Sequence, residues 1–195
     1  MLGGVTVTPE PDPGQALELA HLLEETVTES GRSFISLVEE SPVLLVFLRH
    51  AGCTFCREAL GDIARDRAEI EASGTRIVLV HMGDRAEIQQ VIAKYGLSEL
   101  ERICDRDQRL YQGFGLKRGS LGQLFGIKVW WRTLIAAFWG GHGWGRPVAD
   151  PMQMPGVFLV DHGMIANRFR HRSAADKPSY VALAHTASSR DEASR

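Results

Sequence analysis

Residues 43–56 read VLLVFLRHAGCTFC. The first six are apolar on both faces, which predicts a short buried strand in the middle of a parallel sheet. An apolar stripe then predicts a helix from about Thr54 to Ala72, which places Cys53 and Cys56 in the turn from strand to helix. The rest of the predicted fold is arranged around this strand, turn and helix.

The two cysteines of this turn are suited to thiol chemistry. The thiolate is the reactive form of cysteine, and the unpaired N–H groups at a helix start stabilise it. Arg49 and Arg57 add positive charge nearby. Because two residues separate Cys53 from Cys56, their sulfurs can close a disulfide and electrons can move in pairs. A peroxide would convert one sulfur into a sulfenic acid, which the other cysteine would resolve as a disulfide. A protein disulfide would instead react through a mixed disulfide. Either cysteine can attack first.

Outward from the turn, the sequence predicts alternating strands and helices. The predicted elements are a helical arm within 1–30, a strand at 76–81, a helix at 86–95, a short strand and helix within 101–114, a hairpin of 156–160 with 164–169, and a last helix opened by Pro178. A right-handed crossover makes the first two strands parallel, and such a sheet carries its active loops at the carboxyl ends of its strands. Pro155 comes just before the hairpin, where an X-Pro bond can hold the cis form.

Residues 115–154 form an insertion before the hairpin. All four tryptophans lie in it, at positions 130, 131, 139 and 144, and the pattern of 119–139 predicts an amphipathic helix or helix pair. We interpret the insertion as a segment that packs over the sheet and forms one wall of the cysteine site. The alternatives are a homodimer or partner surface, a pocket for an acyl hydroperoxide, or attachment to a membrane face. Residues 188–195 are polar and predicted to be a disordered tail.

Composition limits the classes of function. The chain has 195 residues, enough for one domain, and a formal charge of −2 that makes nucleic acid an unfavourable partner. The N-terminus lacks the pattern of a secretory signal and no apolar run is long enough to span a membrane, so we expect a cytoplasmic protein. A zinc site would need two ligands besides the cysteine pair, and only Cys104 and scattered histidines are available, so we expect no metal.

Three phrases carry a family resemblance. They are VFLRHAGCTFCRE at 46–58, DPMQMPGVF at 150–158 and HRSAADKP at 171–178. With them the chain resembles the thioredoxin superfamily, and most closely its peroxiredoxin-like AhpC/TSA branch with the SelL-related redox proteins. The resemblance implies an α/β fold over 31–187, a thioredoxin-like three-layer sandwich whose central mixed sheet is flanked by helices.

The resemblance also implies an activity, that of a thiol-disulfide oxidoreductase of peroxiredoxin-like type. It would reduce a hydroperoxide or a disulfide through Cys53 and Cys56, with no bound cofactor and with an external thiol reductant such as thioredoxin or glutathione. The peroxiredoxin pattern puts Cys56 at the peroxide-attacking position, whereas the thioredoxin pattern puts the nucleophile at Cys53. The residues expected to support the thiolate or the substrate are Arg49, Thr54, Phe55 and Pro155.

Two further hypotheses accompany this one. Cys104 is a candidate resolving thiol, although a single cysteine at a strand end is more often a small buried side chain. The rival hypothesis from another class is a binding module without enzymatic activity, which holds a partner through the tryptophan-rich insertion. A zinc-bound cysteine pair is a minor third alternative.

Overall fold

The computed structural model describes residues 13–49, 54–116, 153–171 and 176–185. The helices are α1 Pro13–Glu25, α2 Phe34–Glu40, α3 Thr54–Ala72, α4 Arg85–Lys94, α5 Arg109–Gly113 and α6 Tyr180–His185. The strands are β1 Val43–Phe47, β2 Arg76–His81, β3 Glu101–Cys104, β4 Gly156–Asp161 and β5 Met164–Arg170. The predicted elements that fall within these ranges occur in the predicted order, and α2 is an additional helix.

The five strands form one mixed sheet in the order β3-β2-β1-β4-β5. The pairs β1–β2 and β2–β3 are parallel, whereas β4 runs antiparallel to both β1 and β5. β1 is the central strand and all five of its residues are buried, as its apolar sequence requires. The chain segment that leaves the carboxyl end of β1 therefore emerges in the middle of the sheet.

Helices cover both faces of the sheet because side chains alternate along each strand. Leu44 and Val46 of β1 pack in one apolar cluster with residues of α3, α4 and α6. Leu45 and Phe47 belong to a second cluster with residues of α1, α2 and α5. The result is the expected three-layer α/β sandwich, with α3 on the first of these faces.

Helix α2 was not predicted from the sequence. It has only seven residues, of which Phe34, Leu37 and Val38 are buried. A helix this short is unstable alone in water, and its pattern spans too few turns to stand out. Burial of these three side chains against the second cluster holds it in place.

Several predicted features fall outside the described residues. They include Cys53, most of the insertion with its four tryptophans, and the tail at 188–195. The two ends of the insertion are described and lie close together, since the Gln153 side-chain amide donates to the Leu116 carbonyl at 2.8 Å. Within the described ranges, no helix has both the length and the apolar character needed to cross a membrane.

Asp105 holds the loop that leads from β3 into α5. Its buried carboxylate accepts hydrogen bonds from the backbone N–H groups of Arg109, Leu110 and Tyr111, at 3.0, 2.9 and 3.2 Å. We expect Asp105→Ala to lower the free energy of unfolding in urea by about 2 kcal/mol, since three donors lose their acceptor. Asp107→Ala, at an exposed neighbouring position, should change it by less than about 0.5 kcal/mol, and equal effects would contradict this role.

Candidate functional site

Cys56 lies at the carboxyl end of the central strand. Helix α3 begins at Thr54, so Cys56 is in its first turn, with a side chain only 5% exposed. Its Sγ atom accepts a hydrogen bond from the backbone N–H of Arg49 at 3.1 Å. A helix start and an N–H donor both favour negative charge on the sulfur.

A small cleft with a cavity volume of about 30 Å³, part of it open to solvent, borders Cys56. Its walls come from the end of β1, the first turns of α3, the start of β4 and the segment before α6. The lining side chains used below are Arg49, Phe55, Pro155, His171 and Lys177. The cleft therefore combines a sulfur, a cation and apolar walls in a small space beside the start of α3.

His171 forms a neutral part of this wall. Its Nδ1 lies 3.1 Å from the Pro155 carbonyl oxygen, and its ring packs edge-on against Phe169 with centroids 5.0 Å apart. Burial is the main reason that the pKa of His171 falls to about 4, and the nearby charge of Arg49 lowers it further. The ring is therefore uncharged at neutral pH and donates its Nδ1–H to Pro155.

Ion pairs fasten the segment before α6 to helix α3. Lys177 Nζ lies 2.8 Å from an Asp62 carboxylate oxygen and 3.5 Å from one of Glu58. The other Asp62 oxygen accepts from Arg65 at 2.8 Å. The carboxylate of Asp62, although only 8% exposed, is thus neutralised by two cations, and the cleft wall is held against the helix that carries Cys56.

The structure brings several of the predicted site residues together. Arg49, Phe55, Cys56 and Pro155 all line the cleft. Thr54 is buried as the first residue of α3 but does not line the cleft. All peptide bonds among the described residues are trans, so the bond before Pro155 does not adopt the cis form that the sequence allowed.

Cys104 lies elsewhere in the sheet. It ends β3, two strands away from β1, which corresponds to roughly 10 Å of strand spacing. Its Sγ lies 4.0 Å from the Gly83 carbonyl oxygen, and it does not line the cleft beside Cys56. Its role as a resolving thiol remains a prediction.

Glu29, His81 and Cys104 bring potential metal-ligand atoms within 4.8 Å of one another. The Glu29 carboxylate is already engaged by the Nε atoms of Arg102 at 3.0 Å and Arg85 at 3.3 Å. Two adjacent guanidinium groups oppose the binding of another cation. The cluster instead fastens the loop between α1 and α2 to the edge of the sheet, where the Glu29 N–H also donates to the Arg102 carbonyl.

Sequence reasoning missed the ion-pair partners of the cleft. Lys177 lies in the phrase 171–178, which carries the family resemblance, so a signal for its importance was present. Asp62 gave no such signal, because a carboxylate within a charged helix is ordinarily exposed. Its burial appears only in the fold, where Lys177 pairs with it and α6 packs against α3.

Comparison with protein families gives a match over much of the chain. The sequence model of the family described as "AhpC/TSA antioxidant enzyme" matches residues 62–175, more than half of the chain. The match begins after Cys56 and includes the segment from β2 to β5. It therefore rests on the body of the domain and not on the cysteine turn.

Curated proteins of similar sequence cover most of the chain. Human peroxiredoxin-like 2C is 25% identical over 169 residues, which span 78% of this chain and 72% of that protein. The prostamide/prostaglandin F synthase of Danio rerio is 27% identical over 166 residues, 82% of this chain and 80% of that protein.

Solved structures share the fold at low sequence identity. Peroxiredoxin 6 of Arenicola marina has a TM-score of 0.60 at 11% identity, covering 87% of this chain and 70% of its own. Peroxidoxin BcpB of Mycobacterium tuberculosis has a TM-score of 0.57 at 15% identity, covering 87% of this chain and 92% of its own. These similarities confirm the thioredoxin-like α/β fold expected from the sequence.

Proposed function

The chain belongs to the AhpC/TSA antioxidant enzyme family. We propose that it reduces a hydroperoxide through a dithiol cycle of Cys53 and Cys56. In this cycle Cys56 is the attacking sulfur. One observation carries the proposal. The Cys56 sulfur accepts the Arg49 N–H in the first turn of α3 and borders a cleft that also contains the Arg49 side chain. A sulfur with 5% exposure suits a small peroxide better than the disulfide of a protein substrate.

The first step is attack of the Cys56 thiolate on the nearer peroxide oxygen. An S–O bond forms and the O–O bond breaks, so the sulfur is oxidised by two electrons to a sulfenic acid. The departing oxygen takes up a proton and leaves as an alcohol or water. The Arg49 N–H and the start of α3 stabilise the thiolate before attack, and the positive charge of Arg49 favours the developing oxyanion.

The second step returns the sulfur to a form that a reductant can recycle. The Cys53 thiol attacks the Cys56 sulfenic sulfur, an S–S bond forms and water leaves. Two thiols of an external reductant, such as thioredoxin or glutathione, then reopen this disulfide by exchange and are themselves oxidised. The spacing of two residues supports this resolution, because cysteines at this spacing can close a small disulfide ring.

The remaining cleft residues would shape the peroxide site. Phe55 and Pro155 provide apolar surface beside the sulfur, which limits access of water and of larger molecules. His171 stays uncharged and holds the Pro155 carbonyl, so it would act as support for the wall and not as a proton carrier at neutral pH.

A coupled assay tests the proposal. Purified protein is incubated with thioredoxin, thioredoxin reductase and NADPH, and hydrogen peroxide or tert-butyl hydroperoxide is added. We expect NADPH oxidation that depends on both the protein and the peroxide. A parallel assay with a protein disulfide as substrate should run more slowly. If the fully reduced protein loses no thiols on treatment with peroxide, the proposal is wrong.

A further inference from the structure

Tyr111 contacts the same peptide unit that binds the Cys56 sulfur. It lies in α5, on the opposite face of the sheet from α3, and its side chain is completely buried. Its hydroxyl donates to the Leu48 carbonyl oxygen and also lies 3.3 Å from the Val80 carbonyl oxygen. The hydroxyl therefore caps the carboxyl ends of the two central parallel strands.

The Leu48 carbonyl and the Arg49 N–H belong to one amide. The oxygen of this amide accepts a hydrogen bond from the Tyr111 hydroxyl, and its N–H donates a hydrogen bond to Cys56 Sγ at 3.1 Å. The three groups thus form a chain, from hydroxyl through amide to sulfur, that crosses the sheet. Among the described residues, no backbone N–H donates to the Leu48 carbonyl, so Tyr111 supplies a hydrogen bond that the sheet ladder does not.

The tyrosine is held rigidly in this position. Its ring packs edge-on against Phe47 with centroids 5.0 Å apart, and its backbone N–H donates to the Asp105 carboxylate. Burial, with a further contribution from the negative charge of the Cys56 thiolate, raises the pKa of Tyr111 well above its usual value. The hydroxyl therefore stays protonated and donates at every pH at which the protein would work.

We propose that Tyr111 is a positioning residue for Cys56. Its hydroxyl orients and polarises the Leu48–Arg49 amide, and the Arg49 N–H therefore binds the thiolate more strongly. A hydrogen bond accepted at an amide oxygen makes the amide N–H a stronger donor. The same bond fixes the amide plane just where the chain leaves the sheet. The inference deepens the proposed function, since it rests on Cys56 as the attacking thiolate.

Tyr111→Phe tests the inference in a Cys53→Ser background. The pH dependence of Cys56 alkylation by iodoacetamide is measured by peptide mass spectrometry, which separates Cys56 from Cys104. We expect the midpoint of the profile to move up by about 0.5 pH units, which lowers the rate near neutral pH by up to roughly threefold. A folded variant with an unchanged midpoint would overturn the inference.

Two further variants control for stability. Val38→Ala removes a buried side chain of α2 on the same face, so it should lower stability without moving the alkylation midpoint. If Tyr111→Phe does not fold, 3-fluorotyrosine at position 111 keeps the shape and makes the hydroxyl a stronger donor. The midpoint of its alkylation profile should move to lower pH, and an unchanged or higher midpoint would refute the proposed effect of Tyr111 on Cys56.

The alkylation readout also separates this inference from the proposed function. Alkylation reports the thiolate without any peroxide. A shifted midpoint in a protein that does not react with peroxide would support the role of Tyr111 and reject the peroxidase activity. An active peroxidase whose midpoint is the same with and without the hydroxyl would retain the proposed function and reject the role of Tyr111.

Discussion

Cys56→Ser is expected to lower the peroxide-dependent rate of NADPH oxidation by roughly 10³-fold or more. A serine hydroxyl at this position is not ionised and cannot form the sulfenic intermediate. The fold should survive, because serine is close in size and the cysteine lies in the first turn of α3 and not deep among the strands. The rate is measured in the coupled thioredoxin assay, with circular dichroism as the check on folding.

Cys53→Ser is the matched variant. It should still consume one equivalent of peroxide, because Cys56 can form the sulfenic acid, but turnover should stop or slow for lack of a resolving thiol. Dimedone should then label Cys56. The assignment of roles would be reversed if Cys53→Ser abolished the first step while Cys56→Ser retained it.

Mild acid is expected to destabilise the fold by up to about 3 kcal/mol between pH 6.5 and pH 4. His171 in the unfolded chain takes up a proton below about pH 6.5, whereas burial lowers the pKa of the folded residue to about 4. Above pH 6.5 both forms are neutral and the histidine contributes no pH dependence. As the pH falls, the unfolded state binds the additional proton, so the free energy of unfolding decreases through this interval.

Urea unfolding at several pH values measures this effect. His171→Asn keeps an N–H donor for the Pro155 carbonyl but cannot be protonated, so its stability should depend less steeply on pH in this interval. His162→Asn, at an exposed turn, is the control and should keep the slope of the unsubstituted protein. Equal slopes for all three proteins would show that His171 is not the group responsible.

The bounds of helices and strands are predicted most accurately where a continuous or regularly spaced apolar pattern reflects burial against neighbouring elements. β2 was predicted at 76–81 and α3 from 54 to 72, and both have these bounds in the structure. For β2 the apolar run is continuous because the strand is buried between β1 and β3. For α3 the repeated apolar positions from Cys56 to Ile70 lie in the core, and Ser73-Gly74 ends the helix with Gly74 at positive φ.

Features that depend on distant partners were not predictable. Tyr111 reaches a carbonyl 63 residues earlier, and Asp62 meets a lysine that follows it by more than 100 residues. No local sequence pattern signals either pairing. Packing across the sheet brings Tyr111 to its partner, and packing against α3 brings the lysine to Asp62. Helix α2 was missed for a related reason, since it is defined by three buried side chains whose burial only the complete fold provides.

Peptide mass spectrometry after one equivalent of hydrogen peroxide tests directly whether Cys53 and Cys56 form a disulfide. Trypsin releases residues 50–57, HAGCTFCR, which contain both Cys53 and Cys56. We expect this peptide to become lighter by two hydrogen atoms, through a Cys53–Cys56 disulfide, and to regain its mass on reduction. An unchanged peptide, or one joined to the peptide of Cys104, would contradict it.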